Sequence, residues 1–462
     1  MSLLSKTLKS TAVMSISNYM TLVVSIAAFL FLVWALTPEQ YGTYILVLSF
    51  VYFAAQFSDL GTSKVIITDL AKHIEGRNFG FVKRFLKTHL LVQFGLGGIF
   101  LLSFICLPDL FLGEETNLES IIAIGGLMVL TETMLRAERQ IFLSQAKFRN
   151  LAILNGGASI LRLAVLLVLV HYADMGIEGA IFSFVIANSA IFLLFLPSSL
   201  SFIKGIWKSE EVKKDVYLET MWGRGKYLIV ATQIKNVSDK APLWFISYFF
   251  GTVDVAVFSV ARRMLEPITK FVSSLETVAL PLLSQLWVKN KEKAVQMYTS
   301  FAKLGFYSSL GLAAIAFFIV PIAIEYLFPG EYGSSIPIFQ VLLATTVLLG
   351  FGSAQRAFLN VLDLQKVFVY SYSLGLIILS ISFLISAPVL GILSAPVSIV
   401  LKGAASLGYR EWKIYKHEIM KGTKIQDLFI PTKKDWVLFN RIKKSMLDKL
   451  SNGANFADKP RV

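Results

Sequence analysis

Twelve apolar runs divide the sequence, at roughly 12–36, 41–60, 86–107, 119–137, 151–170, 179–202, 227–250, 254–284, 303–327, 336–359, 368–387 and 389–408. Each is near the ~20 residues a helix needs to cross a ~30 Å hydrocarbon core. Turn formers punctuate them, as at Thr37-Pro38-Glu39-Gln40 and Gly251-Thr252-Val253-Asp254. The pattern predicts an all-α integral membrane protein of twelve transmembrane helices. The first run follows Lys6 and Lys9, exceeds a signal-peptide core in length and precedes no small-residue cleavage site, so it reads as the first spanning helix.

The distribution of basic residues tests that count, because a missed span would reverse the sign of every later loop. The turns expected outside, 37–40, 108–118, 171–178, 251–253, 328–335 and 388, contain no Lys or Arg. All but six of the 44 basic residues fall in segments expected inside: the N-terminal tail, 64–87, 136–149, 203–226, 285–303, 355–367 and the chain from Lys402 onward. Both termini are therefore expected in the cytoplasm and the protein in the cytoplasmic membrane. The six exceptions are Arg162, Lys235, Lys240, Arg262, Arg263 and Lys270, so buried positive charge is expected almost entirely in the seventh and eighth runs.

Composition agrees: 55% hydrophobic and 16% charged residues, with a mean hydropathy of +0.66, exclude an ordinary water-soluble domain. The net charge of +14 lies in loops, where topology explains it, so no nucleic-acid partner is expected. A single Cys106 and four scattered histidines give neither a disulfide framework nor a metal site. No phosphate-cradling loop, zincin or nucleophile-elbow motif occurs. No cofactor and no enzymatic chemistry are expected.

An internal repeat refines the architecture. Leu36 to Val47 aligns with Phe250 to Ala261, and Arg139-Gln140-Ile141-Phe142-Leu143 echoes Gln355-Arg356-Ala357-Phe358-Leu359. Six spans per repeat is an even number, so the two halves should have parallel topology, with the binding site at their interface. The organisation expected is an N-terminal lobe over 1–202, a basic cytoplasmic linker over 203–226, a C-terminal lobe over 227–408 and a basic tail over 409–462. In that tail Trp436, Val437, Phe439, Ile442, Met446, Leu447 and Leu450 recur at near-helical spacing among lysines, as in an interfacial helix on an anionic leaflet.

The seventh and eighth runs carry charge where a bilayer opposes it. The seventh holds Lys235, Asp239 and Lys240; the eighth holds Arg262, Arg263, Glu266 and Lys270, with Glu276 near its far end. At ~1.5 Å per residue, Lys240 lies ~21 Å in from Lys226 and Arg263 ~13 Å in from the turn, so both reach toward the midplane. Lys235 with Asp239, Arg262 with Glu266, and Glu266 with Lys270 stand four apart, which draws a charged stripe along each helix. Pro242 and Pro267 each remove a backbone donor beside these charges. The groups could pair with one another as interhelical glue, and Lys235 and Lys270 could snorkel. Yet the cations Lys235, Lys240, Arg262, Arg263 and Lys270 outnumber Asp239 and Glu266 by three. At ~2.5–3.5 kcal/mol per buried cation, that excess favours a wet cavity or an anionic ligand. In the first half, Glu132 and Arg162 are expected to brace each other as an ion pair.

Three segments carry a family resemblance: Ala35-Leu36-Thr37-Pro38-Glu39-Gln40-Tyr41-Gly42-Thr43-Tyr44 with Asp59-Leu60-Gly61; Asp239 through Gly251, then Val257 to Ala261 and Leu280-Pro281-Leu282-Leu283-Ser284; and Leu327-Phe328-Pro329-Gly330-Glu331-Tyr332. In order and spacing the chain resembles, over roughly 1–417, the polysaccharide-exporter (O-antigen flippase) branch of the multidrug/oligosaccharidyl-lipid/polysaccharide (MOP) flippase superfamily. It departs from the commoner pattern at Val255-Ala256-Val257-Phe258, where Gly-x-Tyr is more usual. The resemblance implies a V-shaped transporter of two six-helix lobes whose first, second, seventh and eighth helices line a central cavity, and a substrate of polyprenyl-pyrophosphate-linked oligosaccharide. On that reading Arg262, Arg263, Lys240, Lys235 and Lys270 contact the pyrophosphate, since Arg forks bind phosphate oxygens bidentately and Lys supplies a point charge. Asp239 and Glu266 are candidates for ion coupling, and Asn18, Tyr19, Gln56 and Asp59 for the opposite wall. A monomer working with membrane lipids and with glycan-assembly proteins such as a polymerase or glycosyltransferases is expected. Two other classes compete. A multidrug antiporter of the same superfamily would want an acidic or aromatic cavity, which five cations fit poorly. A membrane-embedded sugar polymerase or ligase would want a large external loop.

Overall fold

The computed structural model describes residues 3–61, 70–108, 119–210, 216–328, 330, 332–420 and 425–430. These residues are almost wholly helical and include no strand. Twelve long helices follow one another: α1 Leu3–Ala35, α2 Pro38–Ser58, α3 Phe79–Cys106, α4 Glu119–Ser144, α5 Phe148–Leu166, α6 Gly176–Trp207, α7 Lys226–Phe250, α8 Thr252–Lys289, α9 Lys291–Leu327, α10 Ser335–Val361, α11 Gln365–Leu390 and α12 Ser394–Tyr415. By length and composition alone ten stretches among the described residues could cross a membrane. One of these, Gln365–Tyr415, is two helices, parted where Gly391, at φ +53°, opens a 3-10 turn. The stretch that composition misses is α7, whose Lys226, Lys235, Asp239 and Lys240 break its apolar character. The all-α, many-span membrane architecture predicted from the sequence is the one observed.

Local chemistry sets the helix boundaries. The Thr37 hydroxyl accepts from the Gln40 amide at 3.3 Å while the Gln40 side chain accepts from the Thr37 amide at 3.1 Å, a reciprocal cap with Pro38 in the first turn. Asn290 parts α8 from α9, its side chain accepting from the Lys293 amide at 2.9 Å. The four-residue turn expected at 251–254 contracts to one residue: Gly251, at φ +91°, ends α7, and Thr252–Asp254 already form the first turn of α8. Only a residue without Cβ adopts that backbone at no cost.

Contacts divide the chain into two compact units, Met1–Val260 and Ala261–Val462, with the division falling inside α8. In the first unit α4 is central, packed by α2, α3 and α6, while α5 lies between α1 and α6. Helix α7 packs on α2. Its Trp244 stacks on Phe50 at 5.2 Å, meets Phe53 edge-on and donates its indole N–H to the Ser49 hydroxyl at 3.0 Å. The start of α8 crosses α2 so closely that a Cβ on Gly42 would strike the Thr252 carbonyl oxygen. The segment preceding α7 is docked, with Tyr217 and Met221 buried against Leu70, Val82, Phe85 and Leu86. Burial, and after it the charge of Asp59, pushes the Tyr217 hydroxyl up to about 12.

In the second unit α9 packs on α10, α10 on α12 and α11 on α12. The same pairings of third with fourth, fourth with sixth and fifth with sixth helix occur in the first unit, as the sequence repeat predicts. Gly305 and Gly350 meet backbone to backbone between α9 and α10, and neither could carry a Cβ without a clash. Residues 425–430 return to this pair: Phe429 stacks on Phe351 at 5.3 Å and accepts from the Tyr307 hydroxyl at 2.8 Å. The interfacial helix expected over 436–450 and most of the outer turn 108–118 lie outside the described residues.

Several helices outrun their apolar windows. Helix α4 continues to Ser144, α10 to Val361 and α12 to Tyr415, and α9 begins at Lys291. Arg136, Arg139, Lys303, Arg356 and Arg410, expected in cytoplasmic segments, are therefore on long helices, with Lys303 and Arg410 almost fully buried. The expectation that buried positive charge lies almost entirely in α7 and α8, with Arg162 the exception, is thus corrected: Lys303 and Arg410 are buried, while the α7 and α8 cations are half-buried or exposed. A hydropathy window stops where charge begins, but a helix continues while its backbone bonds close and its charged side chains find partners.

Candidate functional site

The charged stripes of α7 and α8 form as the spacing predicts, with one change of partner. Lys235 pairs with Asp239. On α8 the nearer partner of Glu266 is Arg263 rather than Arg262: its Nη1 donates to both carboxylate oxygens at 2.9 Å, and the Lys270 ammonium stands at 3.9 Å. These side chains keep between 35% and 55% of their surface accessible, on helices long enough to cross a bilayer. Lys240 and Arg262 are half-buried. Lys240 points to α2, its ammonium 5.6 Å above the Tyr52 ring. Such half-open charge at helix-interior positions needs water or a polar ligand beside it.

Tyr52 leads into a second polar region within the first unit. A cavity of about 240 Å³ is lined by Asn18 and Thr21 of α1, Tyr52 of α2, Glu132, Leu135 and Arg139 of α4, Asn155, Ala158, Ser159 and Arg162 of α5, and Phe184 and Asn188 of α6. The expected Glu132–Arg162 brace does not form. The Glu132 carboxylate is held by Arg136 at 3.2 Å and by the Asn188 amide at 3.3 Å, whereas the Arg162 guanidinium rests 4.3 Å from the centre of the Phe184 ring. A carboxylate already shared by two nearby donors on α4 and α6 leaves the longer reach from α5 to an aromatic face.

Of the residues assigned to an opposite wall, Asn18 is exposed and lines this cavity. Tyr19 is 70% exposed beside it, and Gln56 is half-buried on α2. Asp59 is buried instead in a relay, accepting from Gln140 Nε2 at 2.8 Å while Gln140 Oε1 faces His89 Nε2 at 2.8 Å. The second unit repeats this link with other groups: Arg356 Nε donates to Glu276 at 2.7 Å. Each link joins the second helix of a repeat to the fourth; Gln140 and Arg356 align once Phe142 is matched to Phe358, whereas Asp59 and Glu276 are out of register.

Arg136, Arg139, Asn155 and Asn188 were not singled out by their sequence context. The available signal is their period: Glu132, Leu135, Arg136 and Arg139, and then Asn155, Ala158, Ser159 and Arg162, each recur at i, i+3, i+4 and i+7. Two consecutive apolar helices thus each carry a polar stripe on one face. Among the described residues no cluster of three or more His, Cys, Asp or Glu could hold a metal ion.

The fold matches solved transporters over nearly its whole length. An inward-facing multidrug resistance MATE family transporter of the MOP superfamily superimposes with a TM-score of 0.68 at 15% identity, covering 88% of this chain and 96% of that one. The lipid II flippase MurJ, in an inward closed conformation, gives 0.66 at 15% identity over 90% and 88%. A MOP superfamily transporter from Pyrococcus furiosus, described as having a binding pocket of reverse polarity, gives 0.62 at 14% identity over 90% and 97%. No curated protein matches the sequence itself. The model of the family described as polysaccharide biosynthesis protein matches residues 31–337. That match spans more than half of the chain and reaches into both repeats, and the fold it lies on is that of the solved MOP transporters: the chain belongs to the polysaccharide biosynthesis protein family.

Proposed function

We propose that this protein is a flippase that moves a polyprenyl-pyrophosphate-linked oligosaccharide across the cytoplasmic membrane by alternating access, during assembly of a surface glycan. The observation that carries the reading is the charge of α7 and α8, where Lys235, Lys240, Arg262, Arg263 and Lys270 stand against Asp239 and Glu266 on helices of membrane-spanning length. A pyrophosphate offsets such an excess, and the Arg and Lys side chains supply forked and point-charge donors to its oxygens. Family membership supports a saccharide cargo, and the likeness to MurJ, a lipid II flippase, supports a lipid-linked one. Asp239 and Glu266, each beside a cation, are the carboxylates whose protonation or cation binding would couple the cycle.

The multidrug reading suggested by the names of the MATE structures fits less well, because a net positive stripe repels organic cations. Both termini are assigned to the cytoplasm by the basic segments. The test is a search for lipid-linked oligosaccharide in cells lacking the protein. Accumulation on the cytoplasmic leaflet, reversed by restoring the gene, is expected; an unchanged lipid-linked pool with altered drug tolerance would overturn the reading.

A further inference from the structure

The cavity of the first unit has a charge balance that neither the pyrophosphate contacts nor the fold requires. Its single acid, Glu132, is neutralised in place by Arg136 and accepts a hydrogen bond from the Asn188 amide. Two arginines remain. Arg139 donates from Nε to the neutral Asn155 amide at 3.0 Å, and Arg162 covers the Phe184 ring. Among the described residues neither guanidinium is in an ion pair with a carboxylate. Arg162 stands within the apolar run of α5, where an unpaired cation costs ~2.5–3.5 kcal/mol, and Arg139 stands at the end of the apolar run of α4.

The other lining groups narrow the ligand. Asn18, Asn155 and Asn188 offer amide donors and acceptors, Ser159 a hydroxyl, and Tyr52 and Phe184, packed edge to face at 6.4 Å, an aromatic wall that Arg162 covers in part. Amides and hydroxyls beside aromatic faces suit a ligand with both hydroxyls and C–H faces. The volume of about 240 Å³ exceeds what a halide or phosphate needs, and lies just below the ~300 Å³ at which pockets for drug-sized ligands begin. That is the scale of one sugar ring. We propose that this cavity binds a single carboxylate-bearing sugar, its carboxylate held by Arg139 and Arg162 and its hydroxyls by the asparagines. Resting on the flippase reading, this assigns the cargo to the class of acidic oligosaccharides and gives one uronic acid unit a seat inside the first unit.

The test begins with the purified full-length protein in nanodiscs and radiolabelled glucuronate. Glucuronamide, of the same shape without the charge, serves as the paired probe, with chloride and phosphate as small-anion competitors. Glucuronate is expected to bind at least tenfold tighter than glucuronamide. Arg162→Gln should abolish that difference and Arg162→Lys restore part of it, since Lys keeps the charge without the fork. Asn18→Asp leaves both arginines in place and adds a repelling charge at the exposed rim, so it should weaken glucuronate severalfold more than glucuronamide even if Arg162→Gln folds poorly. Equal binding of the two sugars, no binding of either, or displacement by chloride or phosphate at equal concentration overturns the proposal. In proteoliposomes, lipid-linked saccharides with and without a uronic acid separate the two readings. Equal flipping of both, unaffected by Arg162→Gln, removes the acidic-sugar seat and leaves the flippase. Glucuronate binding with no flipping of either removes the flippase and leaves the seat.

Discussion

At the scale of single residues, Arg263 separates a substrate contact from a structural brace. Its bond to Glu266 joins two side chains that are 36% and 35% exposed, a setting in which such a pair contributes only ~0.2–1 kcal/mol. Lys270 remains 3.9 Å from the same carboxylate when Arg263 is gone. Arg263→Ala should therefore accumulate to wild-type levels and melt within a few degrees of wild type, while lipid-linked oligosaccharide flipping in proteoliposomes falls in the order Arg, Lys, Ala. A stable Arg263→Ala protein with undiminished transport would remove the phosphate role. The α7 and α8 charges are conspicuous in the sequence because they interrupt long apolar runs. Arg136 and Arg139 are hidden because they sit where the apolar run of α4 gives way to a basic segment, whose charge reads as a topology signal. Asn155 and Asn188 are hidden because an amide is cheap enough in a helix bundle to read as ordinary interhelical bonding.

Among elements, number and order were legible while ends and partners were not. Twelve apolar runs become twelve helices because each run is long enough to span and each break carries a turn former or cap, as at Thr37, Gly251 and Asn290. The C-terminal limits of α4 and α12 were not legible, because charged side chains beyond their apolar runs find tertiary partners: Arg139 donates to Asn155, and Glu411 accepts from Tyr298 and Gln355. The helix contacts themselves predict a contrast on α9. Gly305 lies against the Gly350 carbonyl, whereas a Cβ on Gly311 meets nothing. Gly305→Ala should destabilise by ~1–3 kcal/mol through overpacking, and Gly311→Ala should be neutral or slightly stabilising. Thermal unfolding in detergent distinguishes them, and equal melting temperatures would mean that α9 and α10 are not in backbone contact. Thr37→Ala, which deletes the cap of α2, should cost ~0.5–2 kcal/mol by the same measurement.

For the whole molecule, the parallel repeat and the basic-residue asymmetry together predict which end of every helix faces the cytoplasm. The repeat reappears as matching helix pairings in each unit and as the paired links Asp59–Gln140 and Glu276–Arg356, both placed where the second helix of a repeat meets the fourth. If the basic segments are cytoplasmic, the turns at the opposite ends of the helices must be outside. Asp174, between α5 and α6, and Ser334, before α10, are exposed residues in two such turns, while Lys208 and Lys293 are exposed at the other ends of α6 and α9. The native thiol, Cys106, is exposed at the end of α3 and has to be replaced by Ala first. Single cysteines at 174 and 334 should then react with an impermeant thiol reagent in intact cells, or in spheroplasts where an outer membrane intervenes, and those at 208 and 293 only after permeabilisation. The positions come in pairs, one from each repeat, so the outcome tests orientation and repeat together. Inverted labelling of all four would reverse the orientation and keep the parallel repeat. Labelling at 174 and 293, with silence at 208 and 334, would make the repeats antiparallel and require an odd number of spans in each.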